Sequence, residues 1–226
     1  MLQDLGHQAL RFLASSTFVK RVIITSSVAA VLSVPSTPQV FTEADWNGQA
    51  VKEVEEKGRE ASNAARYGAS KTLAERGMSS SPDRLVTSAY QRHGTCTTNT
   101  KQNIIPSAQN TSSQTMYDVF TKEGSAVGSG SWVDMPAIAL ARVLGLQKEE
   151  AGGERIIISA GAFSFQDLLD ATPSSSKHLK GTPGAGKDAV HQIRFDADKS
   201  VRLLRLKYHT MADTIADTLE DWEKGW

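Results

Sequence analysis

Cysteine is almost missing from this chain of 226 residues: Cys96 stands alone. One thiol can build neither a disulfide framework nor a cysteine-rich zinc site. A reducing, cytoplasmic setting is the expectation. An excess of charge of either sign is missing too. Lys+Arg and Asp+Glu both number 25, which removes the electrostatic basis for a nucleic-acid partner or an anionic membrane. Long hydrophobic runs are absent. The most apolar stretch, VIITSSVAAVLSV from Val22 to Val34, is too short for a bilayer and carries Ser and Thr. The opening residues include Asp4 and His7 and lack a basic n-region, so no signal peptide is read there. Histidine offers no cluster: His93 lies near Cys96, and His7, His178, His191 and His209 are scattered, so no metal site is expected.

The residues that are there describe an ordinary globular chain long enough for one buried core. Leu2, Leu5, Ala9, Phe12 and Leu13 fall at helical steps. KRVIITSS is a β-branched run suited to a strand covered on both faces. VPSTPQVFTEADWNG, broken by Pro35 and Pro38, reads as loop. A helix then includes ARYGASKTLAER and ends near Gly77. RLVTSAY reads as a second strand. The polar stretch from Gln91 to Gln114 shows no period and reads as a loop of unusual length.

Further on, SQTMYDVFTK predicts a short helix and AVGSGS a flexible link. WVDMPAIALARVLGLQK predicts a helix capped by Asp134, with Pro136 in its first turn. ERIIISA reads as a third strand. Ser164 with Asp167 opens a short helix that turns Leu168 and Leu169 inward. Thr210 with Asp213 opens a last one, with Met211, Ile215, Leu219 and Trp222 on one face. Strands alternating with helices predict an α/β fold with a parallel sheet.

Tyr67 and Lys71 are four residues apart on the predicted helix, so they share a face. An ammonium beside a phenol favours the phenolate and makes the pair usable as a general acid or base. Ser26 and Ser27 end the first strand, and sites in parallel α/β sheets gather at the carboxyl ends of strands. A Tyr-x-x-x-Lys on its own is a very weak pattern, in most chains no more than a tyrosine and a lysine on a helix surface.

Four segments decide between those readings: VKRVIITSSVAAV, YGASKTLAE, WVDMPAIALARVLGLQKEEAGGERIIISAGAFSFQDLLDA and KGTPGAGKDAV. In collinear order they resemble the extended short-chain dehydrogenase/reductases of the NAD-dependent epimerase/dehydratase type. Within these they are most like the dihydroflavonol-reductase-like group with its fungal methylglyoxal and ketone reductases. The resemblance implies a partial Rossmann-type sheet and NADP(H) as cofactor. It implies a small carbonyl substrate reduced to an alcohol, with Ser27, Tyr67 and Lys71 as the catalytic set. Ser27 would hydrogen-bond the carbonyl, with Ser26 as its fallback. Tyr67 would give the proton, and Lys71 would tune Tyr67 and hold the nicotinamide ribose. Thr25 and Ser26, with Tyr67 and Lys71, would line the cofactor.

The resemblance also has gaps. No G-x-G-x-x-G or G-x-x-G-x-x-G turn stands near the start to seat a pyrophosphate. Residues 1–110 therefore read as the later part of a cofactor domain without its opening strands. Residues 111–226 read as a mixture of the last Rossmann elements and a substrate-binding part. Between residues 77 and 109 the likeness stops abruptly, as an altered reading frame or a mis-spliced transcript would make it. A polypeptide of this kind is expected to be marginally stable, to expose the edge of its first strand and to bind NADPH poorly. The alternative is a non-catalytic binding or oligomerisation module. Gly181, Gly186 and Lys187 have the spacing of a phosphate-binding loop, but Asp188 stands where Ser or Thr should hold magnesium, so a surface loop is expected.

Overall fold

A computed structural model describes residues 18–78, 85–90, 111–125, 128–178, 181, 182, 184 and 190–223. The helix expected over the first residues, the His93–Cys96 pair and most of the 180–189 loop lie outside the described residues. In chain order the first elements are strand β1 (Val22–Thr25), a 3-10 turn (Val28–Ala30), strand β2 (Gln39–Phe41) and helix α1 (Gly48–Lys57). Helix α2 (Asn63–Met78) and strand β3 (Leu85–Tyr90) follow. Next come α3 (Thr111–Thr121), β4 (Ser129–Trp132), α4 (Met135–Gln147), β5 (Arg155–Ile158), β6 (Gly161–Ser164) and α5 (Phe165–Asp170). Strand β7 (Ile193–Phe195), a π-turn (Ser200–Leu204) and α6 (Met211–Glu223) complete the order.

The three strands expected from their β-branched runs form one parallel sheet in the order β1–β3–β5. The chain is α/β, with the parallel sheet of a Rossmann-type fold. Strand β1 is an edge of that sheet among the described residues, and all four of its residues are half-buried.

Strand β5 shows how alternation builds two layers, because successive side chains leave a strand on opposite faces. Ile156 and Ile158 pack on Val133, Ala137, Ile138 and Ala141 of α4 and its approach. Ile157 faces Val28, Val31, Phe41 and Phe195. Arg21 ties α4 to the start of β1: its guanidinium donates to the carbonyls of Gly145 and Leu146 at 3.2 Å each, and to that of Lys148. Those are carbonyls that a helix end leaves without partners.

A separate apolar cluster joins α3, α5 and α6: Met116, Phe120, Phe163, Leu168, Ile215 and Leu219 are all buried. The expected starts of three helices are present as drawn from sequence. Asp134 accepts from Ala137 N at 2.8 Å, Ser164 and Asp167 form a reciprocal capping box, and Thr210 accepts from Asp213 N at 3.1 Å.

The stretch expected to be loop after Pro35 contains β2, which pairs in parallel with β7. The stretch expected to be a flexible link runs into β4, which pairs antiparallel with β6. Residues 111–114, assigned to the long loop, begin α3 instead. Strands this short carry no periodicity of their own and are made by distant partners, such as Phe41 against Phe195.

Candidate active site

Helix α2 seats the site through its smallest residue. A Cβ on Gly68 would lie 2.8 Å from Asn47 Nδ2, 3.1 Å from Ala50 Cβ and 3.4 Å from the carbonyl oxygen of Ala29. Only glycine allows that approach of α2 to α1 and to the 3-10 turn beyond β1. One turn on, fully buried Thr72 donates to the Gly68 carbonyl at 2.9 Å and reaches the Ala30 carbonyl at 3.3 Å. Asn47 completes the seam. Its side chain caps α1 by accepting from Ala50 N at 2.9 Å and donates to Ala29 O at 3.0 Å. Ala65 and Ala69 pack with Ala50 on the same side.

Tyr67 and Lys71 flank this buried seam and are half-buried. The Lys71 ammonium lies 5.8 Å from the Tyr67 ring centroid, inside the range in which a cation is held by an aromatic face. The i, i+4 spacing thus brings the two together. Ser27 sits at the carboxyl end of β1, is 3% exposed, and caps the 3-10 turn by accepting from Ala29 N at 3.2 Å. Its backbone is extended, with φ −150° and ψ 148°. The turn it caps is the one on which Gly68 and Thr72 rest. Thr25 closes β1 opposite Ser88. Ser26 is turned elsewhere: its hydroxyl donates to the buried carboxylate of Glu75 at 2.6 Å.

Sequence reasoning passed over four residues that build this corner: Asn47, Thr72, Glu75 and Arg155. A signal existed for two of them. Gly68, Thr72 and Glu75 recur at helical steps of four and three, so a carboxylate falls on the face whose other members are small. Asn47 and Arg155 are joined to that face by tertiary contacts that no local pattern announces. Among the described residues there is no group of three or more His, Cys, Asp or Glu that could hold a metal ion, and no helix long and apolar enough to cross a membrane.

No family model matches the chain. Against the NADPH-dependent methylglyoxal reductase GRE2 of Saccharomyces cerevisiae it is 35% identical over 97 residues, covering 39% of this chain and 28% of that protein. Against the ketoreductase azaE of Aspergillus niger it is 26% identical over 226 residues, covering 89% of this chain and 62% of that protein. The chain spans less than two thirds of the length of these curated relatives. Gre2 from Candida albicans, solved in complex with NADPH, superposes with a TM-score of 0.79 at 24% identity, over 98% of this chain and 69% of that one. The structural likeness establishes the fold. Sequence relatives and structural neighbours are Gre2-like methylglyoxal and ketone reductases of the extended short-chain group, in line with the resemblance read from the sequence.

Proposed function

We propose that this chain is an NADP(H)-dependent oxidoreductase component that reduces a small aldehyde or ketone to an alcohol, with Ser27, Tyr67 and Lys71 as its catalytic set. The observation that carries the reading is the Lys71 ammonium held against the Tyr67 ring, on a helix that Gly68 lets settle onto the Ser27-capped turn. Names of the relatives, which include an NADPH-dependent methylglyoxal reductase and a ketoreductase, support the substrate class.

In this reading Ser27 accepts one hydrogen bond from Ala29 N and keeps its own hydroxyl hydrogen for the carbonyl oxygen of the substrate. Tyr67 holds the proton that the same oxygen receives. As the phenol gives it up, negative charge grows on the Tyr67 oxygen, and the Lys71 ammonium one turn away stabilises it. Lys71 also has donors to spare for a ribose hydroxyl. NADPH, when bound, supplies the hydride.

The residues present fit the nicotinamide-ribose end of that cofactor, where a cation, a phenol and a strand-end hydroxyl lie on neighbouring elements. Among the described residues no strand leads through a glycine-rich turn into a helix, so the pyrophosphate end has no counterpart there. That one observation favours the second reading, a binding or oligomerisation module without turnover. We assign residues 1–110 to the cofactor side, and 111–226 to the remaining Rossmann elements plus the substrate side.

Calorimetric titration of monodisperse protein with NADPH, followed by detection of the alcohol from methylglyoxal at millimolar NADPH, separates the readings. The reductase reading expects weak NADPH binding, above micromolar, together with formation of the alcohol. Saturating cofactor without alcohol would leave the module.

A further inference from the structure

Glu75 is a carboxylate only 1% exposed on α2, and the reaction proposed above has no use for it. A buried carboxylate is costly unless paired and hydrogen-bonded. One oxygen meets that need: Glu75 Oε1 accepts from Arg155 Nε at 2.6 Å. Arg155 is itself locked. Its Nη1 donates to the carbonyls of Glu43 and Asp45 at 2.6 and 2.5 Å, and its guanidinium lies 3.8 Å from the Trp46 ring centroid. The other oxygen, Oε2, takes the hydroxyl of Ser26 at 2.6 Å.

Ser26 and Ser27 are chemically identical neighbours at one strand end, and both are buried. Either hydroxyl could cap the 3-10 turn or meet a carbonyl oxygen. We infer that Glu75 is a positioning residue: by holding the Ser26 hydroxyl it removes that serine from the competition and fixes the chain so that Ser27 alone presents its hydroxyl. A charge-assisted hydrogen bond is about twice as strong as a neutral one. Arg155, anchored on a different strand, keeps the carboxylate from swinging. The claim rests on the reductase reading for its catalytic consequence and on geometry alone for its structural one.

The test uses the full chain with Ser26→Ala, Ser26→Thr, Glu75→Gln and the double variant Ser26→Ala/Glu75→Gln. Two readouts are taken: steady-state alcohol formation with methylglyoxal and NADPH, and hydrogen exchange of the Ala29 amide that bonds Ser27 Oγ. Ser26→Ala should lower kcat about tenfold with KM for the carbonyl held within about twofold, the loss of one hydrogen bond to a charged group. The Ala29 amide should exchange about tenfold faster as its partner loosens.

Ser26→Thr keeps a hydroxyl and should restore both. The double variant should be no worse than the more impaired single variant, because both act through the bond between Ser26 and Glu75. Wild-type kcat and wild-type Ala29 exchange in Ser26→Ala would overturn the inference. If Glu75→Gln does not fold, the Ser26 pair still decides. If the wild type makes no alcohol, the reductase reading fails, and Ala29 exchange in Ser26→Ala still decides whether Glu75 positions this strand end.

Discussion

Gly68→Ala adds one methyl group at the point where α2 touches both α1 and the Ser27 turn. At an open helix site the change should help, since glycine in a helix interior costs about 1 kcal/mol relative to alanine. Here the new Cβ would meet Asn47 Nδ2 at 2.8 Å, Ala50 Cβ at 3.1 Å and the Ala29 carbonyl at 3.4 Å. The first of these is a side-chain end, but it is not at liberty to yield. It donates to Ala29 O, and the same amide caps α1 through Ala50 N. Overpacking costs roughly 1–3 kcal/mol and the loosened Asn47 bonding about 1 more. After subtracting the propensity gain, the net loss is roughly 1–3 kcal/mol.

For a chain of this size that loss corresponds to a Tm lower by roughly 2–12 °C. Urea and thermal denaturation read it. Gly48→Ala is the internal control, because a Cβ at Gly48 meets nothing within 4 Å and should stabilise by about 0.4–1 kcal/mol. Gly68→Ala should also lower reductase activity, by moving Tyr67 away from the strand end. If Gly68→Ala stabilises as Gly48→Ala does, α2 is not seated on this seam and Gly68 does not set the position of Tyr67 and Lys71.

Ser164→Ala removes one half of the capping box at the start of α5 and should cost about 1 kcal/mol in denaturant titration. Lys71→Met keeps the length of the side chain and removes the ammonium beside Tyr67. Alcohol formation should fall by about tenfold or more, whereas an unchanged rate would show that Lys71 does not act on the phenol. The hydrogen bond to Asp134 (Nδ1 to Oδ1, 3.0 Å), aided by the attraction of its charge, holds the His209 imidazolium above its ordinary pKa. A raised folded-state pKa gives stability that is fully present below the unfolded value, about 6.5, and is lost as pH rises through the folded value. The effect is small, because the His209 side chain is 56% exposed and solvent screens it. His209→Gln should remove this pH dependence, read as Tm between weakly acidic and weakly alkaline buffer.

The sheet was legible because each of its strands announces itself locally. VIIT and RIII are β-branched runs, and α4, α5 and α6 start at Asp134, Ser164 and Thr210, side chains that cap. The pairings of β2 with β7 and β4 with β6 were not legible. Gln39–Phe41 and Ile193–Phe195 are too short to show a period, and each is a strand only because the other lies beside it. In the site, the Tyr67–Lys71 contact follows from helical spacing alone. The partition between Ser26 and Ser27 does not, since it is set by Glu75 and by an arginine 80 residues further along the chain. Nothing local marks Gly68 either, because its role is set by Asn47 and Ala29, which lie against it.

The most direct test of the account is the rate of alcohol formation from methylglyoxal at millimolar NADPH, compared between the wild type and Tyr67→Phe under conditions where circular dichroism shows both folded. Removing the phenol oxygen while keeping the ring should lower the rate by about a hundredfold or more, the usual worth of a general acid. Equal rates in the two proteins would contradict the assignment of Tyr67, and with it the proposed chemistry of this chain.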